Sequence, residues 1–257
     1  APIVYQADYN QGFMMLSDLG KESYLPAYQN ESREMLLEDA LLAISSMQLI
    51  REPLPLYDET LLRQEMDLFP EWFLSKQLAL PISTSENAML RNVFQLMVEN
   101  ALQQPQVFVH RDFHSRNLMV TREKCPGILD FQDAVNGPVT YDLVSLLRDC
   151  YFKLPGDEIT KYVNRFRQML VENGRIPAIA AIQFRRWFDL VGVQRHLKCA
   201  GIFSRLNIRD GKSGYLGDIP LVVQYMIDAC EPYPELHVFG NWLVETVQPN
   251  LALEAFT

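Results

Sequence analysis

Two polar loops next to short strand-like runs constrain this chain more than any other feature. The eight residues 110–117 lie between the apolar runs 107–109 and 118–120, and both runs have the length and composition of short strands. Thirteen residues after the last residue of that loop, the acidic segment 130–133 ends a third such run, 128–129. The sequence therefore predicts a site built from loops at strand ends.

The residue types in these loops are the ones that phosphoryl transfer from a nucleotide requires. Such a transfer needs a carboxylate near the acceptor hydroxyl and oxygen ligands that hold Mg²⁺ on the phosphates. Asp112 and Asn117, five positions apart, meet these two needs in that order, and Asp130 adds the charged oxygen ligand that suits Mg²⁺. Either aspartate alone is typical of a turn. Together the three residues predict a phosphotransferase that uses ATP and Mg²⁺.

The protein-kinase-like superfamily has catalytic and metal-binding loops that resemble two segments of this chain, HRDFHSRN and DFQD. Only eleven residues separate Asp130 from Asp142, which leaves no room for an activation segment, and no Ala-Pro-Glu follows. The chain is therefore similar to the aminoglycoside phosphotransferase and choline kinase group. It also resembles the bacterial N-acetylmuramate/N-acetylglucosamine anomeric kinases of cell-wall recycling in the segments EMDLFPEWFL, GPVTYDLVSLLRDCY and QRHLKCAGIFSRL.

This resemblance implies an ATP-dependent kinase that phosphorylates a sugar hydroxyl, namely the anomeric hydroxyl of N-acetylmuramate or N-acetylglucosamine. Two alternatives remain open. A kinase for another small alcohol, such as an aminoglycoside or choline, would need an acidic pocket above Asp112, whereas N-acetylmuramate would need a basic one. A non-catalytic kinase-like binding module is favoured by the absence of a glycine-rich loop and a strand lysine, and opposed by the presence of Asp112, Asn117 and Asp130.

The resemblance also implies roles for individual residues. Asp112 would orient the acceptor hydroxyl and take its proton, and His110 would support the catalytic loop. Asn117 and Asp130 would bind Mg²⁺ on the nucleotide. Asp142 would hold the backbone of the catalytic loop, or act as an ordinary helix-terminal residue. The hinge whose backbone meets the adenine edge would comprise Leu16, Ser17, Asp18 and Leu19.

Substrate recognition is assigned chiefly to arginines, because the lactyl carboxylate of N-acetylmuramate can be paired bidentately by a guanidinium group. The predicted substrate contacts are Asp112, His114, Arg116, Arg195 and Arg205. The alternative for each arginine is a solvated position, which the i,i+4 pair of Arg185 and Asp189 indicates for the same helix. The alternative for His114 is an exposed loop position. Trp72 and Phe73 would form either a wall for the sugar ring or part of the core.

The rest of the chain predicts a mostly helical lobe. Strand patterns cover residues 3–8 and 12–16, and Ser83 with Glu86 predicts a capping box. Helical patterns cover residues 32–50, 59–80 with a break at Pro70, 83–103, 141–153, 157–172, 178–204, 220–230 and 235–247, with a polar loop at 207–218.

The predicted fold class is therefore α+β and protein-kinase-like. A mostly helical C-terminal lobe with a small β insert would occupy residues 21–257. The last strands and the hinge of a truncated N-terminal lobe would occupy residues 1–20. A chain with this organisation is expected to bind ATP poorly and to turn over slowly.

Composition excludes several classes of partner. With 32 acidic and 23 basic residues the formal net charge is −9, which argues against a nucleic acid or an anionic membrane surface as the main partner. No run of about eighteen apolar residues predicts a membrane span. Four scattered cysteines without a CxxC pair predict reduced thiols in a cytoplasmic protein. We expect a monomer whose partners are ATP and a small sugar.

Overall fold

The computed structural model describes residues 1–29, 33–122 and 125–251. The chain begins with an antiparallel hairpin of β1 (Val4–Asp8) and β2 (Phe13–Leu16), which confirms the two strands predicted there. Most apolar side chains of this hairpin are exposed, so it adds little to the core.

Helices follow the hairpin, and their limits agree with the predicted signals. The predicted break near Pro70 is confirmed, because helix ends at Met66 and the chain continues in wider π-type turns. The capping box is also present: the backbone N–H of Glu86 donates to Ser83 Oγ, and the backbone N–H of Ser83 donates to Glu86 Oε2. Residue 32 of the first predicted helix lies outside the described residues. The elements are α1 (Tyr24–Ala27), α2 (Arg33–Met47), α3 (Glu59–Met66), a π-helical segment (Phe69–Gln77) and α4 (Thr84–Leu102).

Two small antiparallel pairs of strands form the middle of the chain. The three strands predicted here are confirmed as β3 (Gln106–Val109), β4 (Leu118–Met119) and β5 (Gly127–Ile128), and β4 pairs with β5. The partner of β3 is β6 (Val135–Pro138), which the sequence analysis missed. Its Asn-Gly-Pro sequence is typical of a turn. Tertiary packing overrides that signal, because the bare Cα of Gly137 makes room for the Tyr57 ring.

The remainder is helical, with two corrections. The predicted polar loop at 207–218 is wrong, because a long helix continues to Asp210 and Ser213–Asp218 forms 3₁₀ turns. The helix predicted over 141–153 ends at Leu147, since Asp149 is used to bind neighbouring backbone. The elements are α5 (Tyr141–Leu147), α6 (Gly156–Glu172), α7 (Ala181–Asp210), α8 (Ile219–Cys230), α9 (His237–Trp242), π-helical Leu243–Val247 and α10 (Gln248–Leu251). None of the described helices is long and apolar enough to cross a membrane.

Helix α7 lies at the centre of the molecule. Every residue from 188 to 201 is buried, although this stretch contains Asp189, Arg195, His196 and Lys198. The interpretation of the Arg185–Asp189 pair as a solvated face is therefore wrong, because Asp189 is 1% exposed and also binds Arg148. A helix buried on all sides is usually apolar, so its charged side chains need specific partners.

Because α7 is closely packed, a side chain added at Gly201 is predicted to destabilise the protein. A Cβ added there would lie 2.5 Å from the carbonyl carbon of Leu68 and 2.6 Å from its oxygen, so backbone would have to move. We expect Gly201→Ala to lower the free energy of unfolding by about 1–3 kcal/mol, measured by urea denaturation. The matched control is Gly156→Ala on α6, where nothing lies within 4 Å, with an expected change below about 0.5 kcal/mol. Equal stabilities of the two variants would contradict this packing.

Candidate active site

The loop of residues 110–117, which we call the catalytic loop after its predicted role, connects β3 to β4 and is held by a carboxylate on α5. Asp142 accepts the backbone N–H of His110 at 2.8 Å and that of Arg111 at 3.1 Å. Arg111 adopts a left-handed backbone with φ of 75°, which a non-glycine residue rarely adopts without support. The sequence analysis left open whether Asp142 would hold the loop backbone or act as a helix-terminal residue. The structure shows these two hydrogen bonds to the loop, and Asp142 also lies in the first turn of its helix.

His110 links this loop to the loop that carries Asp130. Its ring is fully buried, and Nε2 lies 2.9 Å from the backbone oxygen of Leu129. Burial lowers the pKa of His110, so the imidazole is neutral at neutral pH. His110 does not line the cavity described below. This geometry is that of a supporting residue, as the sequence analysis expected.

Asp112, Asn117 and Asp130 converge on one cavity of about 500 Å³. The Asn117 Nδ2 group donates to the backbone oxygen of Asp112 at 3.0 Å and lies 3.5 Å from Asp130 Oδ2. Asp130 has a φ of 65°, which turns the chain sharply after β5. The structure thus brings together the three residues that the sequence analysis selected.

The donor set of this cluster fits Mg²⁺. Because the Asn117 nitrogen is engaged by the loop, its oxygen is left for a cation beside the Asp130 carboxylate. Mg²⁺ is usually held by one or two carboxylates together with phosphates and water. In residues 1–29, 33–122 and 125–251, no group of three or more His, Cys, Asp or Glu side chains could hold a metal ion. A metal shared with a nucleotide needs no such group.

The predicted hinge does not reach the cavity. Ser17 exchanges hydrogen bonds with Ile3, and Asp18 Oδ1 accepts the backbone N–H of Gly20 at 2.8 Å. The Leu19 side chain packs on Gly127 of β5. None of residues 16–19 lines the cavity. Through Leu19 they adjoin the β4–β5 hairpin that connects Asn117 to Asp130. Contact with adenine stays a prediction.

The elements that line the cavity differ in charge: the loops contribute carboxylates together with Arg111 and Arg116, whereas the charged residues that α7 contributes are all cations. The carboxylates of the cavity, Asp112, Asp130 and Asp133, all belong to the two loops at strand ends. The side formed by α7 carries cations and no carboxylate, and its lining cations are Arg195, Lys198 and Arg205. An anionic or neutral acceptor therefore fits the α7 side better than a cationic one.

Arg195 is the least expected of these cations, because it is only 3% exposed. Its Nη1 donates to two thiols, Cys150 at 3.2 Å and Cys199 at 3.6 Å. Within the described chain no carboxylate lies within 4.0 Å of Arg195. The solvated alternative is wrong for this arginine. All four cysteines are free, and these two line the cavity.

The other predicted substrate residues also lie at the cavity. The Arg116 guanidinium stacks over the Tyr151 ring at 3.6 Å from its centroid, and its outer part is exposed. His114 packs edge-on against the same ring and is half-buried, so the exposed loop alternative is wrong. Burial lowers the pKa of His114, which leaves it neutral. Arg205 is half-buried on the same wall.

An aromatic wall lines the cavity, but its residues are not the predicted ones. Tyr215 stacks on Phe203 with ring centroids 5.4 Å apart, and Tyr151 adjoins Phe203. Phe73 is a core residue, and Trp72 is half-buried beneath Lys76 away from the cavity. The core alternative is therefore correct for Phe73, and the sugar-wall interpretation is wrong for both.

The surrounding positive charges favour the ionised, carboxylate form of Asp112. Burial opposes its ionisation, but the positive charges of Lys198 and Arg195 outweigh burial and hold the pKa of Asp112 below its usual range. Lys198 was missed by the sequence analysis. It lies three positions after Arg195 on α7, and this i,i+3 spacing is the signal that would have placed both on one face.

The known proteins that this chain resembles are phosphotransferases, in agreement with the geometry of the site. Residues 1–177 match the model of the phosphotransferase enzyme family. The chain is 41% identical over 247 residues to an N-acetylmuramate/N-acetylglucosamine kinase of Pseudomonas putida, covering 95% of this chain and 72% of that protein. It is 40% identical over 262 residues to the protein of the same name in Neisseria meningitidis, covering 100% and 78%.

A solved structure shares the fold. It is the crystal structure of aminoglycoside phosphotransferase APH(2'')-Ib with ADP bound, at a TM-score of 0.54 and 15% identity, covering 89% of this chain and 76% of that one. This likeness confirms the protein-kinase-like α+β fold class. At this level of identity it shows the fold alone.

The anchoring of the catalytic loop by Asp142 can be tested by measuring the stability of a variant. We expect Asp142→Ala to lower the free energy of unfolding by about 1–3 kcal/mol for each of the two backbone N–H groups left without an acceptor, measured by urea denaturation. The control is Glu172→Ala, an exposed carboxylate at the end of α6, with a change below about 0.5 kcal/mol. An Asp142→Ala protein as stable as the control would rule out this anchoring role.

Proposed function

The chain belongs to the phosphotransferase enzyme family, and from this premise we propose that it transfers the terminal phosphoryl group of ATP to the anomeric hydroxyl of N-acetylmuramate or N-acetylglucosamine. The observation that carries the acceptor assignment is the charge of the cavity. Its loop end holds Asp112, Asn117 and Asp130, whereas its α7 side holds cations and no carboxylate. The names of the relatives support the same two sugars.

In the proposed reaction Asp112 accepts a hydrogen bond from the acceptor hydroxyl and aims its oxygen at the phosphorus. As the bond from this oxygen to phosphorus forms and the bond to the bridging oxygen of ADP breaks, the hydroxyl proton passes to Asp112. Asn117 and Asp130 would hold Mg²⁺, which neutralises phosphate charge when bound. His110 keeps the two loops in register through Leu129.

The buried guanidinium of Arg195 is the best partner for the lactyl carboxylate of N-acetylmuramate. Its two hydrogen-bond partners are thiols, so a carboxylate from the substrate would be the stronger partner for this buried charge. A carboxylate can accept two parallel N–H bonds from one guanidinium group. Arg116, Arg205 and His114 would complete the acceptor side, and the aromatic wall would face the sugar ring.

The lobes and the nucleotide site follow from the same proposal. Residues 1–20 would belong to the N-terminal lobe and hinge, and residues 21–257 to the lobe that carries the transfer site. Leu16, Ser17, Asp18 and Leu19 would meet the adenine edge. Their position beside the β4–β5 hairpin supports this assignment, because that hairpin connects the two proposed metal ligands.

The alternatives are less well supported. An aminoglycoside or choline acceptor is cationic, and the α7 side would repel it. A non-catalytic binding module would have no need for Asp112, Asn117 and Asp130 to meet in one cavity, yet they do.

The first prediction of this proposal concerns Asp112. We expect sugar-dependent ADP release by the protein with N-acetylmuramate or N-acetylglucosamine, and a loss of at least about 100-fold in kcat for Asp112→Asn, because the variant cannot take the proton. A coupled assay of ADP release measures this. Asp157→Asn, an exposed carboxylate in the first turn of α6, serves as the control. Undiminished turnover by Asp112→Asn would contradict the assignment.

The second prediction concerns the choice between the two sugars. Arg195→Met is expected to raise KM for N-acetylmuramate by about 10–100-fold, the effect of losing a charge-assisted hydrogen bond. N-acetylglucosamine lacks the lactyl carboxylate, so its KM should change by less than about threefold. Arg209→Met, on the exposed last turn of the same helix, is the matched control. Equal effects on both sugars would exclude Arg195 as the carboxylate partner.

A further inference from the structure

A buried carboxylate behind the cavity binds four side chains. Glu65 Oε1 contacts the guanidinium of Arg111 and lies 3.1 Å from the ammonium of Lys198. Glu65 Oε2 accepts from the Tyr57 hydroxyl and from Gln194 Nε2, the latter at 3.3 Å. Because both oxygens are engaged on two sides, the carboxylate has one orientation.

Lys198 joins this buried group to the cavity. Its ammonium carries three N–H donors. One donor faces Glu65, and a second faces the Tyr141 hydroxyl at 3.5 Å. The third has no acceptor among the described residues, although the side chain is only 9% exposed and lines the same cavity as Asp112.

The charges of the group do not balance. One carboxylate, Glu65, faces two cations, Arg111 and Lys198, which leaves one positive charge in a buried environment. Burial opposes the charge on Lys198, but its neighbours, chiefly Glu65 and Tyr141, together outweigh burial and raise the pKa of the ammonium, so it stays charged. On the cavity side, Lys198 favours the ionisation of Asp112.

We propose that Lys198 is a catalytic residue whose ammonium contacts the transferred phosphoryl group, and that Glu65 is the positioning residue that aims it. The proposal rests on the function proposed above. When Asp112 takes the proton of the acceptor, it loses the charge that Lys198 faces. At the same time negative charge is spread over the oxygens of the transferred group. The ammonium therefore gains a new partner in the transition state. This interaction stabilises the transition state and so accelerates the reaction.

The alternative is a structural role in which Lys198 only neutralises Glu65. The two roles differ because Arg111 also pairs with Glu65 and would remain in a Lys198 variant. A structural role predicts loss of stability with little change in kcat. A phosphoryl contact predicts loss of kcat whether the acceptor is a sugar or water.

The test measures kcat and KM for sugar phosphorylation, ATP hydrolysis without sugar, and thermal unfolding. We expect Lys198→Met to lower both kcat and hydrolysis on the order of 100-fold, as loss of one transition-state donor does. KM for either sugar should change by less than about threefold. Lys198→Arg keeps the charge and is expected to recover about a tenth or more of the lost rate, and Glu65→Gln should lower kcat by about tenfold.

Gln194→Met is the matched control, because Gln194 contacts Glu65 but does not line the cavity. It is expected to lower stability and to change kcat by less than about threefold. The inference fails if Lys198→Met changes only the KM of the sugar, if its kcat is unchanged, or if Gln194→Met loses as much rate. If neither sugar stimulates ADP release, the acceptor assignment fails, and ATP hydrolysis by Lys198→Met still decides the role of Lys198.

Discussion

The burial of residues 188–201 in the middle of α7 is the constraint on which the rest of the structure depends. Charged side chains in the middle of a buried helix must find partners, because an unpaired charge in the interior is costly. Asp189 finds Arg148 and Arg185, and Lys198 finds Glu65. Arg195 finds only thiols. The helix that completes the core is therefore also the one that directs positive charge into the cavity.

A second constraint acts on the catalytic loop, whose irregular backbone is partly buried and needs hydrogen-bond partners from outside. Two carboxylates supply them, one shortly after the end of β6 and one shortly after the end of α5. Asp142 accepts the N–H groups at the start of the loop, and Asp149 accepts the N–H of Ser115 at 2.8 Å. Backbone N–H groups at both ends of the loop are thus held by carboxylates from outside it. The Asp112 carboxylate and the side-chain oxygen of Asn117 remain available for the reaction.

The sequence predicted the loops better than their surroundings, and the reason is physical. Asp112, Asn117 and Asp130 lie within nineteen residues of each other, so local spacing and strand patterns are enough to bring them together. Lys198 and Glu65 are far apart in the chain and meet only through tertiary packing. A charged helix also looks solvated when only its own residues are considered, which explains the wrong interpretation of Asp189 and of the surface alternative for Arg195.

The residues that local sequence patterns predict and those that only the structure reveals also differ in the chemical roles proposed for them. The groups that would handle the nucleotide and the proton come from one short stretch of chain, whereas the groups that would face the acceptor come from α7 as well as from this stretch, which supplies His114 and Arg116. Asp142 and His110 hold the loop through backbone hydrogen bonds, and within the described residues no hydrogen bond joins either of them to Arg195 or Arg205. A substitution of either arginine therefore leaves these hydrogen bonds with their own partners while it changes the charge offered to an acceptor. Lys198 and Arg195 of α7 both favour the ionised form of Asp112. If Lys198 also contacts the transferred phosphoryl group, as proposed above, acceptor recognition and phosphoryl transfer are coupled at this helix.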